Sequence, residues 1–245
     1  MTGTARLMHA GICGLLLACA AAFAPMARAA HDASGAEYAF RWNPADGGPK
    51  SAEKVAAVLG LDPGRHKSYE VRYFAVAQPV GLAEGASVIV RQRSGAKGAT
   101  ETMFKVRGTK PFDRADPLAG WQCPFPGDVR AGRKAEVDVG WTADGSTRRT
   151  YSLSCEADGD VATLMPAGFK AAPLACSSKV RRTEVGDLKI ERWALPDGSV
   201  SIEVSWEAGD SAADLEAFRK RVVAPLVASG ARAQQASKTE LGSGC

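Results

Sequence analysis

The chain is poor in the side chains that most often carry catalysis and metal binding. Its three histidines, His9, His31 and His66, are too few and too scattered for an imidazole metal cluster. There is no CxxC, CxxCH, GxSxG or GxxxxGK, which removes zinc ribbons, c-type haem attachment, the nucleophile elbow and the P-loop. No repeat or low-complexity tract interrupts the sequence. The one extended apolar run, residues 10–23, is short and alanine-rich, so no transmembrane segment is expected. A large charge excess is also missing: 31 Lys and Arg stand against 27 Asp and Glu. That balance argues against nucleic acid as a partner, and any strong positive field must be local.

What is present begins with a leader. Arg6 supplies a positive start, residues 10–23 an apolar stretch, and Ala27-Arg28-Ala29 a small-x-small cleavage site. Residues 1–29 therefore read as a signal peptide and the protein as exported, periplasmic or secreted. Leu16-Leu17-Ala18-Cys19 leaves a lipoprotein site at Cys19 as the minor alternative. Cleavage leaves 216 residues with 29 basic against 27 acidic side chains, a size that suits one domain. Cys123, Cys155, Cys176 and Cys245 remain. In an exported chain they read as two disulfides with three connectivities open. The preferred set is Cys155–Cys176, closing a loop between adjacent strands, with Cys123–Cys245, tying down the C-terminus.

Residues 30–50 are polar and rich in Gly and Pro and read as an extended segment leading into one domain, 51–245. Ser51 caps a short helix ended by Gly60. Strands follow near 67–77, 87–93, 101–107, 135–141, 149–155, 178–184, 188–195 and 199–207, with an irregular insertion at about 108–132. Ser211 opens a helix with Leu215, Phe218, Val222 and Leu226 at helical spacing, which Pro225 ends or kinks. A last strand near 233–239 carries Lys238. Trp141 and Trp206 fall on apolar strand faces, leaving Trp121 in the insertion as a candidate ligand contact. Consecutive strands with few helices imply an α+β fold built on a closed antiparallel barrel, since closure removes exposed edges.

The strands sort their charges. Arg91 and Arg93, Lys105 and Arg107, and Lys179 and Arg181 recur at period two, and Glu203 and Glu207 share a face with Ser205 between them. Each run puts charges on one side and apolar residues on the other. Solvated outer faces would explain any one such strand. Three basic strands and one acidic strand together fit a cationic cavity with a carboxylate corner. Arginine suits bidentate phosphate contacts and lysine acts as a point charge, while Mg²⁺ or Mn²⁺ wants oxygen ligands.

In this order the segments resemble the CYTH, or triphosphate tunnel metalloenzyme, superfamily. Its ExExK strand is sought at Ser68, Glu70 and Arg72. Its basic strands look like Arg91-Gln92-Arg93, Thr102 to Arg107 and Lys179-Val180-Arg181, its acidic ExExE strand like Glu203 to Glu207, and its closing SK like Ser237-Lys238. The resemblance implies an eight-stranded tunnel that takes a triphosphate end or polyphosphate chain with a divalent metal. Arg72, Arg91, Arg93, Lys105, Arg107, Lys179, Arg181 and Lys238 would hold phosphate, and Glu70, Glu203 and Glu207 the Mg²⁺ or Mn²⁺. Ser68 and Ser205 stand where the pattern has glutamates. The chain therefore reads as a metal-dependent phosphohydrolase or, alternatively, as a non-catalytic periplasmic anion-binding or structural protein that kept the tunnel fold.

Overall fold

A computed structural model describes residues 35–76, 85–165, 171–174 and 176–244; the expected signal peptide, 1–29, and Cys245 lie outside the described residues. The strands are β1 (Gly35–Trp42), β2 (His66–Val76), β3 (Ser87–Gly95), β4 (Thr100–Gly108), β5 (Gly132–Trp141), β6 (Thr147–Asp158), β7 (Ala171–Pro173), β8 (Ser178–Val185), β9 (Leu188–Ala194) and β10 (Val200–Gly209). The helices are α1 (Ala52–Val58), α2 (Val161–Leu164), α3 (Ala212–Phe218), α4 (Ala224–Ala228) and α5 (Lys238–Gly242).

Hydrogen bonding runs β2–β3–β4–β6–β5–β1–β10–β9–β8 and returns to β2, so nine strands close a barrel. β7 extends the edge of β2 beyond β8, at Phe74–Val76. The count exceeds the expected eight because residues 35–42 are a strand and not an extended leader. GAEYAFRW alternates cleanly: Ala36, Tyr38, Phe40 and Trp42 are buried, while Glu37, Ala39 and Arg41 line the cavity. β1 pairs antiparallel with β10 and parallel with β5, so the barrel is mixed. The Gly- and Pro-rich residues just after Trp42 obscure this strand in the sequence.

Most apolar strand faces point out of the barrel and are covered there. Tyr38, Phe40, Trp42, Trp141, Ile190 and Ile202 pack beneath Val55 of α1 and Phe218, Val222 and Leu226. The Phe218 ring lies 5.1 Å from that of Trp141 and 5.9 Å from that of Tyr38. Burying side chains of this size stabilises by about 2–3 kcal/mol each. Ser51 and Ser211 cap α1 and α3 by accepting from the amides of Lys54 and Asp214. Pro225 does not end the helix. A π turn, Arg219–Val223, joins α3 to α4, and Ala224 bonds back to the Arg219 carbonyl. That wide turn accommodates the proline, which has no amide hydrogen to give.

A second outer cluster joins Val88, Val90, Phe104 and Cys155 to Phe125, with Trp121 and Cys123 packed on it. The segment 109–131 thus lies over β3, β4 and β6, and Trp121 is a packing residue there, away from the cavity. Its anchor is a Cys123–Cys155 disulfide, which corrects both expected bridges. Cys155 faces outward from β6, directly beneath the insertion, and this proximity decides the pairing. Cys176 is also disulfide-bonded. Residues 233–236 form no strand; Ser237 instead opens α5 with a capping box completed by Glu240.

Candidate functional site

Inside the barrel is a cavity of about 700 Å³. Eleven Arg and Lys residues line it against seven Asp and Glu, an excess of four positive charges that equals the net charge of the whole chain. Period-two alternation delivers them: Arg91 and Arg93 from β3, Lys105 and Arg107 from β4, Glu203 and Glu207 from β10. Lys238 also lines it, although from α5 and not from a strand. These seven residues are the part of the expected site that the fold brings together.

Four expected residues are elsewhere. Glu70 and Arg72 do not line the cavity; Arg72 is exposed and Glu70 half-buried, and they pair with each other at 3.2 Å. On β2 the inward positions are Val71 and Tyr73, which pack with Ile89, Met103, Val180 and Trp193. This stretch of the inner wall is apolar, so the charged side of β2 faces out. Lys179 and Arg181 are likewise exposed, Arg181 pairing with Glu53 of α1 at 3.2 Å. Arg182 takes the inward place, because Val180 and Arg182 share the barrel-facing parity.

Sequence alone did not reveal Glu37 and Arg41 of β1, Lys134, Glu136 and Asp138 of β5, Arg182 of β8, or Lys189 and Glu191 of β9. The signal for β5 is present, since Lys134, Glu136 and Asp138 alternate with Ala135, Val137 and Val139, but a strand of mixed charge reads equally well as a solvated outer face.

Two charge networks fill the lumen. Glu203, 1% exposed, pairs with Arg41 and receives Lys238 Nζ at 2.5 Å. Lys238 also reaches Glu191 at 3.2 Å, and Arg182 reaches the same carboxylate at 2.7 Å. Burial opposes the Lys238 charge, but Glu191, Glu203 and Glu37 outweigh it and hold the ammonium well above its usual range. In the second network Lys105 Nζ lies 3.2 Å from Glu136 and 3.4 Å from Asp138. Arg107 reaches Asp138 at 3.1 Å and Lys134 reaches Glu136 at 3.0 Å. Burial alone would raise the Glu37 carboxyl, yet Lys238, Lys105 and Lys189 bring it down to about 2.

Glu37, Glu136 and Asp138 offer three carboxylate oxygens within 4.8 Å of one another. Parallel pairing of β1 with β5 sets Glu37 opposite Asp138. Hard oxygen donors at this spacing fit a Mg²⁺- or Mn²⁺-type cation better than a soft metal. The expected trio of Glu70, Glu203 and Glu207 does not assemble: Glu70 does not line the cavity, and among the described residues Glu203 and Glu207 belong to no carboxylate cluster of this spacing.

The arginines are the least satisfied groups. The Nε atoms of Arg41, Arg91, Arg93 and Arg107 are buried with no hydrogen-bond partner among the described residues. Arg91 contacts only the half-exposed Glu156, at 3.2 Å, among the ion pairs described. Burial, and then Arg93 beside it, lowers its pKa. Unpaired buried donors cost free energy unless a ligand meets them.

No family model matches the chain, and no curated protein does. Among solved structures it is similar to the PH1012 protein of Pyrococcus horikoshii OT3, at 13% identity and a TM-score of 0.44, covering 84% of this chain and 98% of that one. The PH1819 protein of the same organism gives 12% and 0.44, over 84% and 97%. A candidate adenylate cyclase from Vibrio parahaemolyticus gives 12% and 0.41, over 84% and 96%. Likenesses at this level carry no functional argument, so the lumen itself must supply one.

Proposed function

We propose that the barrel binds a triphosphate or polyphosphate chain in its lumen, together with a divalent cation. The observation that carries this reading is the set of four buried, unpartnered arginine Nε donors in a cavity with four excess positive charges. A phosphate chain supplies closely spaced anionic oxygens that such donors can share, whereas a single carboxylate would leave most of them unmatched.

The resemblance to the CYTH superfamily supports the reading on a corrected alignment. The acidic-to-basic opening strand falls on Glu37-Tyr38-Ala39-Phe40-Arg41 and not on Ser68 to Arg72, because Glu37 and Arg41 face the lumen. Glu37, Glu136 and Asp138 would hold the Mg²⁺ or Mn²⁺, which would neutralise phosphate charge beside Lys105 and Arg107. Arg91, Arg93, Arg107 and Lys105 would grip the chain, releasing part of their present carboxylate contacts to do so.

The second reading is binding without hydrolysis. Ala39 and Ser205, opposite each other in the β1–β10 register, stand where the superfamily pattern has acidic residues, and Glu203 is fully neutralised by Arg41 and Lys238. The leader and the disulfides make export part of the same proposal. Calorimetric titration with tripolyphosphate, with and without Mg²⁺ or Mn²⁺, tests binding; phosphate release in the same samples separates the two readings. Wild type that fails to bind tripolyphosphate under either condition overturns both.

A further inference from the structure

Glu191 lies behind the lumen wall and is held by four side chains. It is 1% exposed and is not itself one of the cavity-lining residues. Its Oε1 accepts from the Tyr69 hydroxyl at 2.5 Å and from Arg182 Nε at 2.8 Å; its Oε2 accepts from Trp193 Nε1 at 3.1 Å and Lys238 Nζ at 3.2 Å. Four donors from β2, β8, β9 and α5 therefore fill the lone pairs of one buried carboxylate. Burial disfavours its charge, but Lys238 and Arg182 overcome that and keep the carboxyl well below its usual range. A carboxylate this fully engaged has no oxygen left for a metal or a water. Two of its partners, Arg182 and Lys238, do line the cavity. A third, Tyr69, has the guanidinium of Arg93 5.4 Å from its ring centroid and that of Arg182 5.6 Å away.

We propose that Glu191 is a positioning residue of the anion site: from behind the wall it sets Arg182 and Lys238, so that their remaining donors face the lumen. This rests on the phosphate-chain reading above. The two cations come from β8 and α5, elements that share no other common side-chain anchor among the hydrogen bonds described, and long basic side chains lose much rotamer freedom when aligned on one ligand. A fixed counter-charge makes that loss part of folding, so that less is lost on binding.

The alternative role for the same carboxylate is that of a rival to the ligand, holding cations that phosphate must then win. The two roles have opposite signs. Glu191→Gln keeps the size and removes the charge. With tripolyphosphate titrated into the full chain, positioning predicts affinity lowered by about tenfold or more, at a temperature where both proteins are folded by circular dichroism. Unchanged or tighter binding overturns the proposal. A positioning role further requires that Glu191→Gln add almost nothing in an Arg182→Ala, Lys238→Ala background; a full additional loss there also overturns it. Tyr69→Phe serves if Glu191→Gln does not fold. It keeps ring and charge and removes one hydrogen bond, and it should weaken binding about threefold; wild-type affinity in that variant refutes the proposal. Wild type that does not bind tripolyphosphate refutes the functional reading instead, which keeps the two failures distinct.

Discussion

Glu37 offers a quantitative test of the lumen electrostatics. Its carboxyl titrates at about 2 in the fold against an ordinary 4.5, because Lys238, Lys105 and Lys189 outweigh the cost of burial. A carboxyl depressed by folding stabilises the native state fully above the unfolded value and loses that stabilisation as pH falls towards the folded one. At about 1.4 kcal/mol for each tenfold change in proton affinity, the ionised form contributes on the order of 3 kcal/mol at pH 7. Near pH 3 roughly 2 kcal/mol of this is gone, because the unfolded chain is by then protonated and the folded one is not. Glu37→Gln removes the charge while keeping the shape. The measurement is urea unfolding of both proteins between pH 7 and pH 3, read as the difference in stability. Other carboxyls titrate in both proteins and largely cancel. The gap should be widest at neutral pH and close progressively below about pH 4.5. A gap that stays constant across this range would show that Glu37 stabilises by packing, and the account of opposed networks in the lumen would be wrong.

Two further outcomes follow from the same contacts. Arg91 is buried against Arg93 with one half-exposed acidic partner, so Arg91→Met should leave the unliganded protein as stable or more stable, by up to about 2 kcal/mol. The same variant should lose tripolyphosphate binding; a lower melting temperature with intact binding would contradict both assignments. Replacing Cys123 with Ser opens a bridge spanning 32 residues and should cost about 3 kcal/mol. Limited proteolysis should then cut first within 109–131, and cleavage elsewhere at the same rate would deny that the bridge anchors that cover.

The part of the site readable in sequence is the part where local alternation and charge agree. Arg91, Arg93, Lys105, Arg107, Glu203 and Glu207 each sit in a run whose other face is plainly apolar, and pleating alone sends them to one side. Lys179-Val180-Arg181-Arg182 is different, since both parities carry a cation and period two cannot choose. Contact with Glu53 of α1 takes Arg181 outward. On β2 the same rule gives the wrong answer, because Val71 and Tyr73 face inward there, onto apolar neighbours from β3, β4, β8 and β9.

Amino-acid order by itself determined a barrel-forming set of amphipathic strands, the caps at Ser51 and Ser211, and the sorting of charge by strand, because each depends on residues a few positions apart. Only the closed tertiary structure decided which face is the lumen, that Glu37 meets Glu136 and Asp138, that Cys123 reaches Cys155, and that Glu191 gathers four donors. Those are contacts between residues 2 to 122 positions apart, mostly made by strands meeting in register, and register is a property of the whole ring.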